Sequence, residues 1–120
     1  MRSLKAFRHR VCYIFQPHGF GPTRFMKHAY IDVFVKNLRD EDHLVLLPIY
    51  DAGGTTRRDI SSEDLSYAIS EAGRSTEVLH ERLFLLNRVK EWDTYVVFGA
   101  RDETLADFAE EIALKVWGIE

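Results

Sequence analysis

Apolar positions along the chain fall into two alternating kinds of run. Arg10 to Phe15 (RVCYIF) and His43 to Ile49 (HLVLLPI) are continuous apolar runs. The shorter TEVL from Thr76 and TYVVF from Thr94 are of the same kind. Runs without polar alternation predict strands buried on both faces. Between them the apolar positions take helical spacing. Met26, Tyr30, Val33, Phe34 and Leu38 mark one stripe of a helix over Thr23 to Arg39. Gly21 and Pro22 open it, since the N–H that proline lacks has no intrahelical partner in a first turn. Ser61 with Asp64 approximates a capping box ahead of Leu65, Ala68, Ile69 and Ala72, and Gly73 closes that helix. ERLFLLNRVK predicts a short helix from Glu81. The final helix, DETLADFAEEIALKVWG, places Leu105, Phe108, Ala109, Ile112, Ala113 and Val116 on one face and closes near Gly118.

Four strands alternating with four helices predict an α/β fold, a Rossmann-like open, mostly parallel sheet with helices on both faces. Parallel neighbours need crossover connections, and helices supply them. In such sheets ligands collect beyond the carboxyl ends of the strands. Three segments compete for that rim. FQPHGFGPTRF brings His18 to the end of the first strand and Arg24 into the first turn of the helix. A cation there opposes the helix dipole and argues for an anionic partner. IYDAGGTTRRD follows the second strand with Tyr50 and Asp51 nearest its end. Its adjacent glycines could receive an anion on backbone N–H groups, yet the P-loop spacing is absent. FGARDETL turns the last strand into the last helix, with Gly99 for the tight exit, Arg101 beside it and Asp102 or Thr104 as a cap. Each segment has a plain alternative: a solvated loop with His18 capping a carbonyl, a surface loop, and a capping Asp102 beside a solvated Arg101.

Composition narrows the choice. At 120 residues and 46% hydrophobic, the chain suits one domain with a sizeable core and leaves no room for a second. A formal charge of -3 with dispersed Lys and Arg lacks the footprint of a nucleic-acid binder. Cys12 is the lone cysteine, which excludes an intrachain disulfide and a cysteine zinc cluster; its apolar run marks it for packing. MRSLKAFRHR has no following h-region and reads as the tail of a truncated helix as readily as a start. No run approaches membrane-spanning length, so a cytoplasmic address follows, with no membrane partner. The histidines show no metal-like spacing, Glu110 and Glu111 read as a solvated face, and no nucleophile motif appears. The residues by themselves form no complete catalytic constellation and no metal site.

The succession VCYIFQPHGFGPTR, VLLPIYDAGG and YVVFGARDETLADFAEEI resembles the C-terminal domain of the Mur ligase family, over roughly Arg10 to Leu114. Its sharpest element is Phe15-Gln16-Pro17-His18 followed by Thr23-Arg24. The resemblance implies a piece of a three-domain, ATP-dependent amide ligase of peptidoglycan precursor synthesis, in the branch acting on UDP-N-acetylmuramate. This piece would orient the incoming amino acid for attack on an acyl phosphate. It also implies ATP and Mg2+ held mainly by a central domain, with none expected in this domain alone, which would be inactive. Nucleotide-sugar and amino-acid substrates would be engaged through the other domains. By the same resemblance His18, Thr23, Arg24, Tyr50 and Arg101 are substrate-binding, and Asp51, Gly99 and Asp102 lie near the nucleotide. Gly19, Phe20 and Pro22 depart from the family's more basic, tyrosine-bearing signature. A ligase attaching a recycled peptide to the same nucleotide sugar, and a stand-alone binding module, are the alternatives.

Overall fold

The computed structural model describes residues 9–51, 53, 57–100 and 103–117. Strands β1 (Val11–Gln16), β2 (His43–Leu46), β3 (Thr76–Val78) and β4 (Thr94–Gly99) alternate with helices α1 (Phe20–Asn37), α2 (Ser62–Glu71), α3 (Arg82–Leu86) and α4 (Glu103–Trp117). A single 3₁₀ turn at Val89–Glu91 follows α3. All the strand pairings are parallel, in the order β3-β2-β1-β4.

Side-chain alternation along the strands divides the core into two layers. Cys12 and Ile14 of β1 with Val45 and Leu47 face Leu85, Leu86, Leu105, Phe108 and Ile112 of α3 and α4. Phe15, Leu44 and Leu46 face Leu65 and Ile69 of α2 and Tyr30, Ile31 and Phe34 of α1. The central strands are therefore apolar on both faces, as their uninterrupted runs require. Cys12 is fully buried, and burial pushes its thiol up to about 12, so it packs as an inert apolar group.

Local chemistry explains the helix boundaries. Ser61 N–H donates to Asp64 Oδ2 at 2.9 Å, completing the capping box of α2. Helix α1 begins at Phe20, three residues ahead of the start that Pro22 suggests. Gly19, at φ +83°, turns the chain in a conformation open to glycine, and Pro22 still falls among the first N–H positions that need no partner. Strand β2 stops at Leu46, short of the expected Ile49. The apolar stripe of α1 is only partly covered: Met26 and Val33 lie at 37% and 53% exposure beside β4, which is the sheet edge. Trp92 is buried, whereas Trp117 is 72% exposed at the last turn of α4.

Candidate functional site

Neighbouring strands β1 and β4 send α1 and α4 to opposite faces of the sheet, so the chain opens a crevice at their carboxyl ends. Backbone pairing continues past the ends of β1 and β2. Leu47 N–H donates to Phe15 O at 3.0 Å, Tyr50 N–H to Pro17 O at 2.8 Å, and Gly19 N–H to Tyr50 O at 2.8 Å. This ladder sets His18 beside Tyr50, their rings stacked with centroids 5.3 Å apart at 22°. On the other side of β1, Gln16 pairs with Gly99, and Ala100 N–H donates to Gln16 O at 2.8 Å. The turns after β1, β2 and β4 thus meet on one rim. Gly99 has φ +126°, and a Cβ built there would collide with the carbonyl oxygen of Gln16. Strand packing alone demands glycine at that position.

The segment after β2 folds back over the start of α1. Arg58 grips Asp51 with Nε at 3.1 Å and Nη2 at 2.8 Å, while its guanidinium lies 5.6 Å from the centre of the Phe20 ring. The Arg58 hydrogen bonds, then the Gly53 N–H at 2.9 Å, hold the Asp51 carboxyl below its ordinary range. Arg24, whose place in a first turn asked for an anion, finds one within the chain: Nη1 donates to Asp59 Oδ1 at 3.1 Å and to Arg57 O at 3.2 Å. That partner lies 35 residues away, beyond the reach of any local pattern.

Thr23 is wholly buried beneath the first turn of α1, and its Oγ1 has no hydrogen-bond partner. Gln16 is only 6% exposed; its Nε2 donates to Pro48 O at 3.3 Å and its Oε1 is unpartnered. His18 is exposed on the rim, Tyr50 half-buried beside it. The structure therefore brings His18 and Tyr50 together, with Gly99 across β1 from them. It places Thr23, Arg24 and Asp51 around the start of α1, two of them in ion pairs. Arg101 and Asp102 lie outside the described residues. Gln16 was missing from the candidates that sequence suggested, although a signal existed: it continues the Cys12, Ile14 alternation of a strand apolar on both faces, so its amide had to be buried.

Among the described residues no group of three His, Cys, Asp or Glu could hold a metal ion. The space beside Gly99 is filled by Gln16 backbone, and Arg24, Arg57 and Arg58 are engaged by Asp59 and Asp51.

No family model matches the chain. A curated UDP-N-acetylmuramate–L-alanine ligase from Fusobacterium nucleatum is 35% identical over 113 residues, covering 92% of this chain and 22% of that protein. Proteins of the same name from a Synechococcus strain and from Legionella pneumophila are 29% and 28% identical, covering 78% and 83% of the chain. With the parallel sheet and the FQPH strand end, these similarities make the chain a Mur ligase C-terminal-domain-like segment. Within that class its similarity is to the UDP-N-acetylmuramate–L-alanine ligases. The chain spans about a fifth of the length of those relatives, with 22% covered in the Fusobacterium protein. No helix among its described residues is long and apolar enough to cross a membrane.

Proposed function

We propose that the chain is the substrate-orienting C-terminal part of an ATP-dependent ligase that joins L-alanine to UDP-N-acetylmuramate in the cytoplasm. The observation that carries this reading is the convergence of the FQPH turn, Tyr50 and the Gly99-Ala100 turn on one rim, in a chain similar to ligases of that name. In this reading ATP and Mg2+, held mainly outside this chain, supply the carboxylate as an acyl phosphate. The amine then attacks the acyl carbon: the C–N bond forms, the C–O bond to phosphate breaks, and the amine gives up a proton. The chain's own residues hold the amino acid in line and shield it from water. The stacked pair of His18 and Tyr50 forms one wall of the mouth, with an imidazole that donates and accepts hydrogen bonds. Binding geometry of this kind contributes on the order of 7 to 11 kcal/mol in favourable cases with no acid or base in the segment.

The test is His18→Ala in a ligase carrying this segment, assayed with UDP-N-acetylmuramate and L-alanine. Loss of one hydrogen bond to the charged amino acid predicts a rise of about tenfold in the KM for alanine. Unchanged KM and turnover would place the amino-acid site elsewhere. A panel of amino acids and peptides in the same assay sharpens the identity of the amine.

A further inference from the structure

Gln16 is held rigidly at every point except one. Its backbone is tied to β4: it pairs with Gly99, and its carbonyl accepts from Ala100 N–H at 2.8 Å. Its side chain is 6% exposed and continues the parity of Cys12 and Ile14, toward the α3 and α4 layer. Donation from Nε2 to Pro48 O at 3.3 Å fixes which branch of the amide is nitrogen. The remaining branch, Oε1, is a buried acceptor with no donor. An unfilled acceptor is costly to bury, and an apolar side chain of similar length would have removed that cost. Two other buried oxygens lack partners on partly exposed strand residues, Thr76 and Tyr95, but neither lies at the carboxyl end of the sheet. Gln16 lies where β1 and β4 diverge into helices on opposite faces, the crevice in which open parallel sheets take ligands.

We propose that Gln16 is a specificity-determining residue whose Oε1 accepts a hydrogen bond from the amine of the incoming amino acid. The inference rests on the reading of this rim as the amino-acid site. An acceptor that cannot donate selects N–H over a bare methylene, and it does so most strongly for an ammonium group. Pinning the amide through Pro48 makes this acceptor pre-organised, so little ordering is required when the ligand arrives. Sites built to hydrogen-bond a polar group reject analogues lacking it, because the buried protein atom is then left unpaired.

The test uses the 120-residue chain, titrated separately with L-alanine and with propionate, which lacks the amine. Amide shifts near His18 and Tyr50 report binding. The wild type is expected to prefer alanine by about tenfold or more, the worth of a hydrogen bond to a charged group. Gln16→Met, similar in length but without the acceptor, should bring the two ligands to within about twofold of each other; it also removes the donation to Pro48 O, so the readout is the ratio of the two affinities and not the thermal midpoint. Gln16→Glu keeps an acceptor, should preserve the preference, and decides the matter if the methionine variant fails to fold. Alanine preference that persists in Gln16→Met, or is lost in Gln16→Glu, overturns the inference and leaves the amino-acid site standing. Equal wild-type binding of both ligands overturns it in the same way. A wild type that binds neither overturns the site reading and the inference together.

Discussion

The two rims of the sheet differ in how they hold their most deeply buried polar side chains. At the amino-terminal rim, His43 of β2 meets Ser75 Oγ through Nδ1 at 2.6 Å and Glu77 through Nε2. Glu77 receives both terminal nitrogens of Arg88 at 3.2 and 3.0 Å, and Trp92 stacks on His43 at 5.2 Å with Arg88 5.3 Å from its ring. A carboxylate only accepts, so Nε2 carries the hydrogen; Nδ1 then either accepts from or donates to the Ser75 hydroxyl, and the network is closed in both charge states of the imidazole. Nearby, the almost fully buried Asp42 carboxylate is held by the backbone N–H of Arg39 at 2.9 Å and by its guanidinium at 2.7 Å. The carboxyl-terminal rim instead leaves Gln16 Oε1 and Thr23 Oγ1 open on two of its most buried polar residues. The His43, Glu77 and Arg88 network ties β3 and the 3₁₀ turn to the sheet, although Thr76 Oγ1 and the Tyr95 hydroxyl, on partly exposed residues near the same rim, also lack partners.

The largest effect is expected at the carboxyl-terminal rim, where β4 packs against β1. Gly99→Ala adds a Cβ against Gln16 O in a backbone conformation that disfavours any side chain. A loss of about 3 to 5 kcal/mol in urea-unfolding free energy is expected. A loss under about 1 kcal/mol would show that β4 can shift away from β1 at no great cost, and that the mouth is not rigid. Next in size is Glu77→Gln, which keeps the shape of the amino-terminal network but removes its charge. The expected cost near neutral pH is about 1 to 3 kcal/mol. Burial pushes the Glu77 carboxyl up, and the hydrogen bonds from Arg88 and His43 outweigh burial, leaving it below its ordinary value of 4.5. A carboxyl lowered by folding stabilises above its unfolded value, and that contribution is lost as pH falls through the folded one. Unfolding measured from neutral pH downward should therefore show a shallower acid loss in Glu77→Gln than in the wild type. Parallel acid limbs would assign that loss to other carboxyls.

Elements with a local cause were legible in the sequence. The uninterrupted strand runs, the Ser61 and Asp64 box and the succession of strands and helices led to the parallel sheet, because each follows from spacing along a few turns of chain. Features with a distant cause were not. Arg24 satisfies its charge on Asp59, 35 positions onward, and Met26 and Val33 remain exposed because β4 ends the sheet instead of continuing under another helix. Trp117 is exposed for a different reason: Leu105, Phe108 and Ile112 already provide the buried face of α4. Of the site, His18 and Tyr50 could be placed at strand ends, but their stacking depends on pairing that runs on past both strands. Gln16 Oε1 is conspicuous only when every buried donor and acceptor is matched, which needs the third dimension.

The smallest expected effect tests the contrast by its sign. Thr23→Val replaces one hydroxyl by a methyl at a wholly buried position where Oγ1 has no partner, with shape nearly conserved. Removing an unsatisfied polar atom in this way is neutral or stabilising by up to about 1 kcal/mol, so the thermal midpoint should stay level or rise. The same exchange at a satisfied hydroxyl costs stability, and Ser62, whose Oγ donates to Leu47 O at 2.6 Å, provides the control: Ser62→Ala should lower the midpoint. If both substitutions destabilise alike, Thr23 Oγ1 is satisfied within the folded chain and the two rims do not differ there. If Thr23→Val holds its midpoint while alanine binding weakens, the open hydroxyl belongs to the ligand, and the helix start keeps it at the expense of the fold's own stability.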